Sequence, residues 1–214
     1  MGVNVGAFVD VSNLFYSARS MGVEVNYIRL LEHVSRGRHL IRASAYTGID
    51  PENGSQRRFV DFLSANGYRV VCKDIQRHES GRIKADLDVE LTLDAYMMSE
   101  NFDVLVLITG DGDFRRLVEV VQQRGVRVEI VGFGASTSSD LIALADQFTE
   151  ISTIPEIFRN GGSIHQQAPP VSPSTAHGTP GAPVAPGANA ANGDATGAGR
   201  DPLHALTGRG GQGG

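Results

Sequence analysis

Along the chain, apolar runs of strand length alternate with segments whose apolar residues recur at helical spacing. Val3–Val11 is dense in Val and Phe, carries Asp10 near its end, and predicts a buried strand. A short helix is expected from about Asn13 to Gly22. A second is expected over Tyr27–Arg36, where apolar residues fall at 27, 28, 30, 31 and 34. His39–Tyr46 predicts a strand, and Glu52–Asn66 a helix closed by Gly67. Tyr68–Gln76 alternates as a third strand, and His78–Arg82 (HESGR) predicts a turn. Leu87–Ser99 places Leu87, Leu91, Ala95 and Met98 on one helical stripe. Asp103–Ile108 is a continuous apolar run typical of a central parallel strand. Phe114–Arg124 follows as a helix ended by Gly125, then Val126–Gly132 as a strand, Ser139–Asp146 as a helix and Phe148–Ile151 as a last strand. This alternation predicts an α/β domain with a mostly parallel sheet and helices on both faces.

Composition divides the 214 residues unevenly. Residues 161–214 hold 13 of the 26 Gly and 7 of the 9 Pro, no aromatic residue, and only Asp194, Arg200, Asp201 and Arg209 as charges. Such a segment cannot bury enough apolar surface to offset the entropy of ordering. The expectation is therefore a folded domain over residues 1–160 and a Gly/Pro/Ala-rich disordered tail over 161–214. The folded part carries the whole net charge of −5. That balance argues against a protein that coats nucleic acid through charge alone, but not against an enzyme that meets it through metal. A single cysteine, Cys72, excludes a disulfide framework and a cysteine-rich zinc site, and its strand-like surroundings predict a packed thiol. No apolar run reaches membrane-span length, and the first residues lack the layout of a secretory leader, so no membrane partner and a cytoplasmic protein are expected.

In open parallel sheets, ligands bind beyond the carboxyl ends of the strands. Asp10 stands at the end of the first strand, and Asp111 and Asp113 follow the fourth in LITGDGDF. Asp88 lies in the first turn of a helix, where the peptide dipoles favour negative charge. If the first and fourth strands are neighbours, these acids converge. Taken singly, each has a plainer reading: Asp113 as a helix N-cap, Asp88 as a first-turn acid, Asp10 as a solvated loop residue. Together they form a problem in electrostatics, because two carboxylates about 4 Å apart repel by roughly 4 kcal/mol at an effective dielectric near 20. Such a cluster must hold protons or cations. An all-oxygen set without His or Cys suits Mg²⁺ or Mn²⁺ and points to phosphoester hydrolysis.

Taken in order, AFVDVSNLF, KADLDVELTLDA, LITGDGDFRRLVEVVQQRGVRVEIVGFG and SSDLIALADQFTEI resemble the NYN domain, a PIN-like group, and above all its LabA-like bacterial members. The resemblance covers about residues 3–152. It implies a PIN-like (Rossmannoid) sheet of order 3-2-1-4-5. It also implies a metal-dependent endoribonuclease, a hydrolase using one or two Mg²⁺ or Mn²⁺ ions on RNA, expected to be single-stranded. By position, Asp10, Asp88, Asp111 and Asp113 match the family's acids and are the expected catalytic metal ligands. Asn13 matches its asparagine, expected to orient a ligand or contact phosphate. Leu87 stands where the family has Val. Arg116 stands where it often has Pro, so Arg115 and Arg116 are candidates to grip phosphate. Thr109 keeps the hydroxyl of the usual Ser.

Three other groups bear on the reading. Asp94 shares the apolar stripe of its helix, so it must be paired, either as a core anchor or as support for the site. Lys84 could meet phosphate or neutralise the acids, although a lone Lys at a loop end is more often simply solvated. Arg57, Arg58, Arg77 and Arg82 could form an RNA track, and Tyr16, Tyr27 and Tyr46 are better read as packing than as base-stacking residues. The alternative function is a non-catalytic LabA-like regulatory protein that binds RNA or protein partners, and a homodimer stays open. A nucleotide-binding or small-molecule phosphatase reading is weakened by the lack of any Gly-rich phosphate loop after a strand.

Overall fold

The computed structural model describes residues 2–50, 52–77, 83–84 and 86–159, with the backbone alone at 76, 77, 83 and 84. The turn expected at 78–82 and the tail expected at 161–214 lie outside the described residues. The elements in chain order are β1 (Asn4–Asp10), α1 (Val11–Ser20), α2 (Tyr27–Ser35), β2 (His39–Ile49), α3 (Gly54–Ala65) and β3 (Arg69–Asp74). A short antiparallel pair follows, β4 (Gln76–Arg77) with β5 (Ile83–Lys84), and then α4 (Asp88–Met98). The chain continues through β6 (Val104–Ile108), α5 (Arg115–Gln123), β7 (Arg127–Gly132), α6 (Ser139–Leu144) and β8 (Gln147–Glu150).

Six strands form one sheet in the order β3-β2-β1-β6-β7-β8, parallel at every pairing. Counted along the sheet's own strands this is 3-2-1-4-5-6. It matches the expected order and adds β8 as an edge strand. The chain leaves β1 toward β2 on one side, and β6 returns to pair with β1 on the other. The gap between their carboxyl ends is therefore the point where strand order reverses.

Alternation along the strands builds two cores. Val5, Ala7 and Val9 of β1 join Val104, Val106 and Ile108 of β6 on the face covered by α1 and α2, where Leu14, Leu30 and Val34 are buried. Phe8, Leu105 and Leu107 face the other way, onto Leu87 at the cap of α4, Leu91 and Ala95 within it, and Leu117, Val118 and Val121 of α5. Each large side chain taken out of water in this way contributes about 1.5–3 kcal/mol against the entropy of ordering. The same alternation decides where the acids point. Asp10 shares the parity of Phe8, so its carboxylate faces the α4 side, where Asp88 opens the helix. Among the described residues no helix is long and apolar enough to cross a membrane.

Two sequence expectations need correction. The first helix begins at Val11 rather than near Asn13, because Asp10 itself is its N-cap and accepts a hydrogen bond from the Asn13 backbone N–H. Cys72 is exposed rather than packed. It lies on β3, an edge of the sheet, and only Val70 and Val71 of that strand pack against the two cores.

At the reversal point the turn after β6 runs close to the Phe133–Ser138 loop. A Cβ on Gly110 would lie 2.5 Å from the Ser136 carbonyl oxygen, while the Gly110 carbonyl accepts a hydrogen bond from the Ser138 N–H at 2.9 Å. Only glycine fits between two backbones so placed. Gly110→Ala is expected to cost about 1–3 kcal/mol through overpacking, which for a domain of this size lowers the melting temperature by roughly 2–10 °C. A melting temperature equal to wild type would show that the two loops separate freely.

Candidate metal centre

Each acid is set by a short local device. Asp10 closes β1 with its Oδ1 accepting from the Asn13 N–H at 3.0 Å and its Oδ2 accepting from the Thr109 hydroxyl at 3.2 Å. Thr109 is buried at the end of β6, and the same hydroxyl oxygen accepts from the Asp111 N–H at 3.1 Å. Thr109 thus ties the acid of β1 to the loop after β6. Asn13 adds a second tie, its Oδ1 accepting from the Gly110 N–H at 2.8 Å. Asp111 is the N-cap of the 3₁₀ turn Gly112–Phe114, accepting from the Asp113 N–H at 3.0 Å. The N-cap role considered for Asp113 therefore belongs to Asp111. Asp86 repeats the device ahead of α4, its Oδ1 accepting from the Asp88 N–H at 3.0 Å.

The outcome is a compact acidic group. One oxygen from each of Asp88, Asp111 and Asp113 lies within 4.8 Å of the others. Asp10 is outside that trio but close enough to act on Asp88 through its charge. Burial pushes the Asp10 carboxyl up to about 6, over the opposing effect of its bonds to Asn13 and Thr109, and the charges of Asp111 and Asp86 add to the rise. Asp88 is pushed up to about 7, first by burial and then by the charges of Asp86, Asp10 and Asp111. Both shifts come first from burial, which disfavours the charged carboxylate, and then from the neighbouring negative charges.

The remaining expected residues fall around this group or away from it. Arg115 pairs with Asp140 at 2.9 Å, both exposed, and exposed Arg116 pairs with half-buried Glu119 at 2.8 Å. Such surface pairs are weak and exchange easily. Lys84 lies on β5 opposite Gln76. Asp94 is anchored away from the trio, accepting from the Tyr46 hydroxyl at 2.9 Å, with Arg69 at 3.5 Å. Burial, and then the Asp94 carboxylate itself, raise the Tyr46 phenol well above its ordinary range, which keeps it a donor. Tyr27 and Tyr46 are core residues, as expected.

Asp86 was not among the expected site residues. The signal was available: D-L-D at 86–88 has the spacing of D-G-D at 111–113, and in both the first Asp's carboxylate accepts from the second Asp's backbone N–H.

The NYN domain model matches residues 4–152 of this chain. The chain belongs to the NYN domain family. Within that family it is similar to the low amplitude and bright protein LabA of Synechococcus elongatus, with 29% identity over 156 residues, covering 69% of this chain and 83% of LabA. A crystal structure of VPA0982, a protein of unknown function from Vibrio parahaemolyticus, superposes with a TM-score of 0.68 at 31% identity, covering 74% of this chain and 97% of that one. A PIN-like NYN domain with an acidic group at the sheet's reversal point fits a nuclease.

The raised carboxyls carry a pH dependence whose sign is fixed. Unfolded, both groups titrate near 3.8; folded, near 6 and 7. The folded state therefore holds more protons in between, and stability falls as pH rises through that window. The stabilisation is fully present below about pH 4 and lost by about pH 8. In metal-free buffer, Asp88→Asn is expected to raise the melting temperature at pH 8 and to flatten its decline between pH 4 and 8. A variant that melts lower than wild type at pH 8 would contradict this account of the cluster.

Proposed function

We propose that the protein is a Mg²⁺- or Mn²⁺-dependent endoribonuclease of the cytoplasm that hydrolyses phosphodiester bonds of single-stranded RNA. The convergence of Asp88, Asp111 and Asp113, with Asp10 behind them, at the reversal point of the sheet carries this reading. The donors are all carboxylate oxygens, which suit a hard divalent cation rather than zinc, and the cluster is short of positive charge. Asp88, Asp111 and Asp113 would hold the metal, with Asp10 as a further ligand or an electrostatic support. A divalent cation bound there supplies an activated water and charge stabilisation at the leaving oxygen.

The chain's own residues supply position. Thr109 and Asn13 fix the β1 and β6 acids relative to each other, so the carboxylates need no reorganisation when substrate arrives. Asp113 is the exposed member of the trio and marks the open side from which a strand would approach. Arg115 and Arg116 follow it directly and can exchange their surface carboxylate partners for phosphates. Arg57 and Arg58, near the start of α3, stand at the same end of the sheet and would extend the phosphate track. A single strand suits the exposed side marked by Asp113 better than a duplex.

The test is cleavage of 5′-labelled single-stranded RNA by wild type and by Asp111→Asn, with Mn²⁺ or with EDTA. The asparagine keeps the Oδ1 that accepts from Asp113, so the turn is retained while one charge is removed. Loss of a metal ligand is expected to lower the rate by at least about a hundredfold, since even outer-shell changes cost 10–100-fold. EDTA is expected to abolish cleavage. Equal cleavage by both proteins would contradict the site. Intact RNA under all conditions would favour the non-catalytic regulatory reading.

A further inference from the structure

The chain leaves β3 at Asp74 and returns beside that strand at Asp86, just ahead of the helix that carries Asp88. The short β4–β5 pair lies between these points. Asp88 therefore does not stand at a strand end, as Asp10 does. Its place depends on how the start of α4 is seated after the excursion. Leu87, the N-cap of α4, makes no capping bond through its side chain. Leu87, Leu91 and Ala95 are buried, but apolar contact is non-directional and does not by itself stop a helix from sliding or turning on a sheet.

Lys73 of β3 supplies direction at this point. Its Nζ donates to the Asp86 backbone carbonyl at 3.4 Å and to Glu90 Oε1 at 2.9 Å, acceptors on either side of Asp88 in the chain. Asp86 in turn accepts from the Asp88 N–H at 3.0 Å, so Lys73, Asp86 and Asp88 are linked in series. Exposed ion pairs usually contribute little, and the Lys73 and Glu90 side chains are 52% and 38% exposed. Two features set this pair apart. Glu90 Oε2 is buried and has no hydrogen-bond partner among the described residues. The carboxylate is thus turned against the protein, and Lys73 compensates its charge. The ammonium also holds a main-chain carbonyl, so it fixes backbone as well as a side chain.

We propose, resting on the reading of the acids as a metal centre, that Lys73 is a positioning residue of that centre. By clasping Asp86 and Glu90 to β3, it holds the first turn of α4 so that the Asp88 carboxylate meets those of Asp111 and Asp113. Farther along the helix, Asp94 is held from β2 by Tyr46 at 2.9 Å and from β3 by Arg69 at 3.5 Å, which leaves the first turn to Lys73. Charge and position act on a bound cation with opposite sign. A lysine acting only through its charge repels a cation on the neighbouring acids, so its removal tightens binding. A lysine that positions Asp88 weakens binding when it is removed, as outer-shell partners of metal ligands do.

Calorimetric titration of Mn²⁺ alone into the metal-free full chain separates the two. Lys73→Met is expected to weaken Mn²⁺ binding about tenfold, the low end of outer-shell effects. Lys73→Arg, which keeps a charged donor of similar reach, is expected to restore most of that loss. Circular dichroism is expected to show both variants folded at the titration temperature, because Lys73 is exposed. Equal or tighter binding by Lys73→Met, with wild type binding Mn²⁺, would overturn the positioning role and leave the metal centre standing. A loss that Lys73→Arg does not repair would overturn it as well, since the clasp needs only a cationic donor. Wild type that binds no Mn²⁺ would overturn the metal centre and this role together. RNA is absent from the titration, so the outcome does not depend on whether the chain cleaves it.

Discussion

Burial of a group of neighbouring carboxylates at one end of the sheet is the constraint around which this domain is arranged. Asp10, Asp88, Asp111 and Asp113 come from a strand end, a helix start and a loop, and nothing local would bring them together. Adjacency of β1 and β6 in a parallel sheet does so, and the side-chain parity of β1 turns Asp10 toward α4. Two groups register the resulting strain electrostatically, with Asp10 raised to about 6 and Asp88 to about 7, burial leading in both. The two apolar cores on either side of the sheet supply the free energy that holds the acids in place.

The supporting bonds explain why the cluster stays ordered rather than splaying into solvent. Thr109 bonds to both Asp10 and Asp111, and Asn13 holds Gly110, so the two strand ends cannot drift independently. Asp111 and Asp86 each spend one oxygen on the backbone N–H two residues later. Three of the acids at this end, Asp10, Asp86 and Asp111, thus combine charge with a backbone or side-chain hydrogen bond. On the proposed function the arrangement is preorganised for a cation, and without one its carboxylates crowd each other.

Much of this was legible in the residues. Asp103–Ile108 and Val126–Gly132 read as central strands because both faces of a parallel sheet are covered, which leaves a continuous apolar run. Gly67 and Gly125 marked helix ends and do carry positive φ. The family motifs contain Asp88, Asp111 and Asp113, whose carboxylates the fold brings together. What escaped depends on tertiary partners. The start of α1 at Val11 follows from Asp10 acting as its cap, a choice the local sequence leaves open. Cys72 looked packed because YRVVCKDI has strand composition, but an edge strand covers only part of its surface. The bonding of Asp94 needed its neighbours: its stripe position required a partner, and only the fold supplies Tyr46. Asp86 was overlooked because DLD lies at a helix start, where an extra acid has an ordinary explanation.

The central claim is that the fold gathers these carboxylates for a divalent cation, and calorimetric titration of Mn²⁺ into the metal-free protein tests it most directly. The account predicts one or two ions per chain, weaker binding at pH 5.5 than at pH 8 because protons compete for Asp10 and Asp88, and loss of the heat in a variant lacking the Asp111 charge. Absence of binding at either pH, or equal binding by that variant, would contradict it.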